Sequence, residues 1–259
     1  MSLDEIEGVI QKSENQFELT QDIQATEEFE NLTLDTNTTL DGNNHTVSVL
    51  TNSMFRRLKA NSTLMNLTFS ECSITETSST YMGLIARRSN KCTIKNITVI
   101  NCEMNNSKID YTGFICGHVS ESNLYDITIE ESSIEGDNML GCVCGKVNFE
   151  TNLKDITVSD CTIKGRKYIG GQIGMMRSST ATNLTISNIQ IEGTSKVGGL
   201  MGSGQGEYKH CTVHDTKVKG DKLSGGFCGI IGKDQYSTTI ENCKSDCVIE
   251  GNLECGGFS

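Results

Sequence analysis

The residues of this chain that could perform acid–base chemistry are few and scattered. Hydrolysis of a glycosidic bond needs two carboxylates that converge on one cleft, one as acid and the other as base or nucleophile. Asp41 is the best isolated carboxylate, and Gly42 follows it. Because Asp-Gly is first of all a turn signal, we interpret Asp41 as a turn residue. We predict no catalytic residue, and the chain is expected not to be an enzyme.

Two compact groups of His and Cys could be considered for metal binding. His210 and His214 flank Cys211, but along a strand the two histidines would lie about 13 Å apart, too far to share one ion. Cys142 and Cys144 are two residues apart and would point to the same side of a strand, which favours core packing. The glycines form no phosphate-binding motif between a strand and a helix. We therefore predict neither a metal nor a cofactor.

Aromatic side chains are the remaining candidates for ligand contact. The chain has no Trp and only six Tyr. Tyr111 and Tyr168 each precede a glycine-rich segment by a few residues, and Tyr208 is a further candidate. The candidate ligand face is therefore a shallow aromatic row of Tyr111, Tyr168 and Tyr208.

Charge restricts the classes of partner. The formal net charge of −11 disfavours nucleic acid and acidic membranes, because phosphate binding needs clustered Lys and Arg. The adjacent pairs Arg56-Arg57 and Arg87-Arg88 are interpreted as solvated charge near turns. No stretch has the roughly 20 apolar residues needed to span a bilayer, and the first residues lack the pattern of a signal peptide.

A short phrase recurs along the chain and is the strongest signal in it. Asn or Asp is followed by Ile or Leu, then Thr, then a β-branched or aromatic residue, with degenerate copies near the end. Copies begin at Asn31, Asn66, Asn96, Asp126, Asp155, Asn183, His210 and Asn242. From Asn66 onward the separations are 30, 30, 29, 28, 27 and 32 residues. Such regularity is typical of a stacked repeat architecture.

The repeat predicts how each turn packs. In Asp126-Ile127-Thr128-Ile129 the apolar residues alternate with polar ones, so Ile127 and Ile129 should point inward. Stacking about 4.8 Å apart would place the repeated threonines in one row, with a row of Asn and Asp beside it. The glycines would allow positive φ at corners or close approach of neighbouring backbones. Eight or so turns would form a rod of order 40 Å.

Twelve cysteines and eight Asn-x-Ser/Thr sequons leave two questions open. The cysteines lie singly in apolar positions, so we interpret them as packed thiols, with a disulfide framework as the alternative. Four of the sequons coincide with the repeated phrase and are explained by stacking. The other four could carry glycans in a secreted protein.

The first residues predict a cap. Leu3, Ile6, Val9 and Ile10 follow helical spacing, so residues 1–13 are expected to form a short amphipathic helix over the end of the core. Residues 14–259 are expected to form a single β-helix domain of repeats of about 28–30 residues, which should continue beyond Ser259. The predicted fold is an all-β, right-handed parallel β-helix with a short N-terminal capping helix.

A glycine-bracketed segment closes most repeats and carries a resemblance to a known family. Gly199-Leu200-Met201-Gly202 and Gly226-Phe227-Cys228-Gly229 resemble the GLUG motif of bacterial surface proteins and of regions attached to surface peptidases. Residues 40–46, Leu-Asp-Gly-Asn-Asn-His-Thr, resemble a segment common to pectin-lyase-like β-helices. The segments that begin at Met54 and Met82 lack one or both glycines. The resemblance implies a right-handed parallel β-helix used as a stalk or adhesive surface.

These patterns favour a non-enzymatic surface or secreted repeat protein that acts as an adhesive or structural stalk. Its partners would be glycans or proteins of a host cell or matrix, and its location the cell surface or the extracellular space. Neither nucleic acid nor direct membrane insertion is expected. The alternatives are a carbohydrate-active β-helix, such as a polysaccharide lyase or hydrolase, and an accessory segment of a larger surface peptidase.

Overall fold

The computed structural model describes residues 3–25, 29–75, 80–105, 108–232 and 237–257. They form an all-β solenoid of about seven turns, with parallel strands stacked from one turn to the next. The predicted parallel β-helix is therefore confirmed, with about one turn fewer than the repeat length suggests.

Strands make up most of each turn, and most have ten residues or fewer; the longest lie in the last turns, where several merge around corners. In chain order they are β1 (Val9–Ser13), β2 (Gln16–Leu19), β3 (Ile23–Gln24), β4 (Leu32–Leu34), β5 (Thr39–Ser48), β6 (Phe55–Leu58), β7 (Thr63–Ser70), β8 (Ser73–Ile74), β9 (Tyr81–Gly83), β10 (Ala86–Asn90), β11 (Thr93–Ile100), β12 (Glu103–Asn105), β13 (Tyr111–Gly113), β14 (Cys116–Ser120), β15 (Asn123–Glu130), β16 (Ser133–Glu135), β17 (Asn138–Leu140), β18 (Cys144–Asn148), β19 (Asn152–Ser159), β20 (Thr162–Lys164), β21 (Lys167–Gly170), β22 (Ile173–Ser187), β23 (Gln190–Gly198), β24 (Met201–Lys209), β25 (Thr212–Gly225), β26 (Cys228–Ile231), β27 (Thr239–Glu241) and β28 (Lys244–Gly256).

The repeated threonines lie in one row, as predicted. Each is paired in parallel register with its counterpart one turn away, and all of them face outward. The row consists of Thr46, Thr68, Thr98, Thr128, Thr157, Thr185 and Thr212. In-register pairing thus converts a repeated sequence position into a line along the rod.

The core is a single thin column, because each turn contributes only its inward side chains. In β15, Ile127 and Ile129 are 1% and 0% exposed, while Thr128 between them is partly exposed. One contiguous apolar cluster reaches from Leu3 to Cys228. No turn could bury this surface alone, so the apolar column exists only as a stack.

Asparagine or aspartate occupies the corner at which most of the repeated phrases begin. Asn66, Asn96 and Asn183 have φ of 58°, 50° and 55°, the left-handed region that Asn tolerates better than most residues. The Nδ2 of Asn96 donates to Oδ1 of Asn66 at 2.7 Å, and that of Asn66 donates to Oδ1 of Asp41 at 2.8 Å. The predicted row of Asn and Asp is therefore a hydrogen-bonded ladder. These sequon asparagines have a structural role.

The glycines of the bracketed segments serve close packing and not positive φ. A Cβ on Gly145 would lie 2.4 Å from the backbone nitrogen of Thr112 and 2.7 Å from the carbonyl oxygen of Met139. Among described glycines only Gly8, Gly206 and Gly232 have positive φ. Of the two roles predicted for glycine, close backbone approach applies to these segments.

The N-terminal residues do not form the predicted amphipathic helix. A single 3-10 turn spans Leu3–Glu5, and the chain then enters β1, which pairs antiparallel with β2. Gly8, with φ of 86°, lies between the 3-10 turn and β1. Leu3, Ile6 and Val9 are buried as a cap requires, but Ile10 is 38% exposed. β-Branched residues after a glycine favour the strand here, so a hairpin replaces the helix.

Most of the cysteines are packed thiols. All twelve are free, and nine are buried. Cys142 and Cys144 are both 0% exposed, in agreement with the core packing predicted for them. Burial raises the pKa of each of these two thiols well above its ordinary value, so they are inert small apolar groups.

The corner ladder leads to a first prediction. Asn96→Ala should lower the free energy of unfolding by about 1–3 kcal/mol, because alanine is disfavoured at positive φ and the hydrogen bond to Asn66 is lost. Asn96→Gly, which tolerates the backbone, should cost less. Chemical denaturation of the two variants measures the difference, and equal losses would contradict the backbone argument.

Close backbone approach leads to a second prediction. Gly145→Ala should destabilise the fold by about 1–3 kcal/mol, because the added methyl group meets rigid backbone. Gly165→Ala is the matched control, since its Cβ would meet the flexible ends of the Leu140 and Ile169 side chains and would lie 3.2 Å from the nearest backbone atom, the carbonyl oxygen of Asp137. Thermal unfolding should show the larger loss at Gly145. The opposite order would refute the role assigned to these glycines.

Candidate functional site: tyrosines beside a cationic strip

A row of tyrosines lies just before the glycine-bracketed segments. Tyr81 and Tyr111 are partners in β9 and β13, and each stands two residues before the first glycine of its segment, as Tyr168 does. The residues that follow the row are paired in register in later turns, which extends the row through them; these are Thr112, Leu140, Ile169 and Val197. The tyrosine row consists of Tyr81, Tyr111, Met139, Tyr168 and Lys196.

The rings in this row are held by stacking and by cations. The centroids of Tyr81 and Tyr111 are 4.8 Å apart with an interplanar angle of 17°. The Nζ atom of Lys196 lies 4.1 Å from the ring centroid of Tyr168 and donates to its hydroxyl at 2.7 Å. Stacked and cation–π contacts of this kind hold aromatic side chains in defined orientations at a partly exposed surface.

A second row runs parallel to the tyrosines on the neighbouring strands. Arg57, Arg88, His118 and Lys146 are paired in register across β6, β10, β14 and β18. We call these four residues the cationic strip. The guanidinium carbon of Arg88 lies 3.9 Å from the ring centroid of Tyr81. The strip and the tyrosine row therefore form one continuous surface.

His118 is neutral at physiological pH. Burial lowers its pKa to about 4, and the charges of Lys146 and Arg88 act in the same direction. Its Nε2 lies 3.1 Å from Nδ2 of Asn148, a geometry in which the neutral ring accepts from the amide. Burial and Arg177 also lower the pKa of Lys146. The positive charges of this surface are thus close enough to oppose further protonation.

The strip ends in a pocket at its N-terminal side. This arginine pocket has a volume of about 540 Å³ and contains Arg56, Arg57, Lys59, Tyr81, Arg87 and Arg88. Four of the six arginines in the chain are therefore gathered here. A second depression of about 480 Å³ shares Arg57 and Arg88 and reaches His118. This depression thus connects the arginine pocket with the neutral ring of His118, which is followed in the next turn by Lys146.

The pocket results from a difference in size between two turns. The paired residues Thr39 and Thr63 are 24 residues apart in sequence, whereas the paired residues Thr63 and Thr93 are 30 residues apart. The shorter turn passes from β5 to β6 without strands equivalent to β8 and β9. In the described chain, β9 therefore pairs with β13 on one side and has no strand on the other. The missing segment leaves a step, and the arginines surround it.

Missing glycines mark the same place in the sequence. Arg56 and Arg87 stand side by side in β6 and β10 at the position that Gly117 and Gly145 hold in the next two turns. The closing glycine is required only where a neighbouring segment approaches. Where that segment is absent, a long side chain fits. Arg87 extends to Asn31, to whose Oδ1 it donates at 2.6 Å.

The structure places two of the three candidate tyrosines in one partly exposed row. Tyr111 and Tyr168 lie in the tyrosine row, as expected. Tyr208 does not, because it is 1% exposed and sits in the core between Ala181 and Ile240 of adjacent turns. The space beside the small side chain of Ala181 accepts its ring. Tyr81 is instead the third tyrosine of the surface row. Its position two residues before Gly83 is the sequence signal that could have identified it.

The other residues that could perform chemistry are used structurally. Asp41 accepts hydrogen bonds from the amide nitrogen of Asn43 and from Asn66, both at 2.8 Å, which is a turn role. Cys211 is buried at 0% exposure, whereas His214 pairs with Asp215 at the surface. Among the described residues no three His, Cys, Asp or Glu side chains are grouped to hold a metal ion.

The two arginine pairs need a different interpretation from the one given by the sequence. Each pair alone is solvated charge, and Arg56, Arg57 and Arg88 are indeed exposed. Register brings both pairs together, however, and within the described ranges none of these three arginines forms an ion pair. Charges that repel each other are held side by side, which favours an anionic ligand.

Comparison with known proteins does not assign the chain to a family. No family model matches it, and neither curated proteins nor solved structures give a significant match. In the part of the chain that the structure describes, no helix has the length and apolar content needed to cross a membrane.

The electrostatics of the strip lead to a third prediction. The imidazole of His118 should titrate near pH 4, and Lys146→Met should raise its pKa by removing a neighbouring positive charge. Stability contributed by neutral His118 is present above about pH 6.5 and falls as the pH drops toward 4. NMR titration of the histidine ring protons measures this pKa. A value near 6.5 would show that His118 is not buried as described.

Proposed function

We propose that the chain is a non-enzymatic surface or secreted repeat protein that acts as an adhesive or structural stalk. Its contact surface would be the tyrosine row and the cationic strip, and its partners glycans or proteins of a host cell or matrix. The resemblance to GLUG-motif and pectin-lyase-like β-helices is part of this proposal, as is a location at the cell surface or outside the cell.

One observation supports the proposal most strongly. Tyr81 and Tyr111 are stacked on each other and flanked by Arg88 and Lys146, whose charged groups lie 3.9 and 5.7 Å from their ring centroids. Rings fixed in this way offer contact area at little entropic cost on binding. The row lies along the rod, so a linear ligand could contact one of its side chains in each successive turn.

The stacked architecture supports the stalk component. Hydrogen-bonded β-ladders link each turn to the next, and side-chain ladders such as Asn66–Asn96 add to them. Lys59 of one turn also pairs with Asp35 of the turn before it. A rod joined by many bonds of one kind resists local opening, because each turn is held from both sides.

A binding experiment with tyrosine variants tests the adhesive role. Immobilised protein is probed with a glycan panel and with host cells, and binding should fall at least about tenfold in the Tyr81→Ala variant as stacking contacts are lost. Tyr125→Ala is the matched control, because Tyr125 is also partly exposed but lies in β15, on a different sheet surface. Equal loss in the two variants would refute the assigned surface.

The same preparation tests the enzymatic alternative. Incubation with polygalacturonate and other polyuronates, with and without calcium, should release neither reducing nor unsaturated ends. Release by the wild-type protein would overturn the non-enzymatic proposal and favour a carbohydrate-active β-helix. Absence of binding to every glycan and cell tested would overturn the adhesive role.

A further inference from the structure

We infer that the arginine pocket and the cationic strip bind a densely sulfated polysaccharide. This inference rests on the proposed binding function and names the ligand chemistry for the same surface. It is carried by the geometry of four arginines around one pocket in a chain whose overall charge is strongly negative.

The local charge differs in sign from the whole chain. The protein carries a formal net charge of −11, yet five cationic residues line a pocket of about 540 Å³. At physiological salt the Debye length is about 8 Å, so a bound group senses the pocket and little of the distant carboxylates. Lys59 is paired with Asp35. Arg56, Arg57 and Arg88 keep their charge available to a ligand.

Arginine chemistry favours oxoanions as ligands. A guanidinium presents a planar fork of donors that matches two oxygens of a sulfate or carboxylate. Arg57 and Arg88 are paired in adjacent turns, which places their backbones about 4.8 Å apart. A ligand that satisfies both needs negative groups at similar spacing. Several sulfates on one or two sugar rings meet this requirement better than a polymer with one carboxylate per ring.

The direction of the surface favours a linear polymer over a small anion. From the pocket, the strip continues through His118 to Lys146 in successive turns. The stacked rings of Tyr81 and Tyr111 lie alongside. A chain lying along the rod could therefore place charged groups on the strip and sugar faces on the tyrosines. A small monovalent anion would contact only the arginine pocket.

Sulfated and unsulfated forms of one polymer provide the direct test. Dextran sulfate should bind the purified protein at least about tenfold more tightly than polygalacturonate at 150 mM salt, with no binding to unsulfated dextran. Raising the salt should weaken the binding steeply, because counterions are released on association. Polygalacturonate binding as tight as dextran sulfate would overturn the inference for dense sulfation while leaving the adhesive proposal intact.

Variants locate the binding. The double substitution Arg57→Gln and Arg88→Gln should weaken dextran sulfate binding by about tenfold or more, since two charge-assisted contacts are lost. The control Lys95→Gln with Lys154→Gln removes the same charge from β11 and β19 on another surface and should change binding little. Equal weakening in both would show a general charge effect and overturn the assigned pocket. Circular dichroism confirms that each variant keeps its β structure.

Three further outcomes separate the inference from its alternatives. Arg57→Lys with Arg88→Lys retains charge but loses the planar fork, so binding should be intermediate between wild type and the glutamine variant. Single-stranded DNA that binds as tightly as dextran sulfate would overturn the choice of a sulfated glycan. If dextran sulfate fails to bind but the Tyr81→Ala variant still loses cell binding, the charge inference fails and the adhesive proposal stands.

Discussion

In-register backbone pairing between successive turns is the constraint on which the rest of the structure depends. Each strand finds its hydrogen-bond partner in the turn above or below, so any residue repeated in the sequence becomes a line along the rod. The apolar positions become the core, the threonines an outer row, and the corner asparagines a ladder. Glycines are needed wherever one segment approaches another too closely for a side chain.

Much of this order could be predicted from periodicity alone. Thr98, Thr128 and Thr157 lie in one row because their spacing equals the length of a turn, and Ile127 and Ile129 point inward because strands alternate. The left-handed conformation at Asn96 was not predicted. It depends on where the turn bends, whereas the sequence phrase shows only that the residue recurs.

The failures of prediction occur where a turn departs from the repeat. Ile10 continues the helical pattern of the first residues, but hydrogen bonds between β1 and β2 stabilise a strand there. A short isolated helix is only marginally stable. Tyr208 was placed on the surface because its neighbour Ala181, which leaves room for it inside, is 27 residues away in sequence. The arginine pairs at 56–57 and 87–88 meet because β6 and β10 pair in register, but the pocket beside them exists only because an intervening segment is missing. Periodicity cannot show such absences directly.

The short turn between Thr39 and Thr63 also gives the proposed binding surface a direction. A uniform rod presents the same face at every level, and a linear partner could slide along it in either sense. Here the row ends at the arginine pocket beside Tyr81, and the charge is concentrated at that end. A polymer whose two termini differ would therefore meet the arginine pocket at one end of the row and no equivalent pocket at the other. The surface can thus fix both the alignment and the polarity of what lies on it.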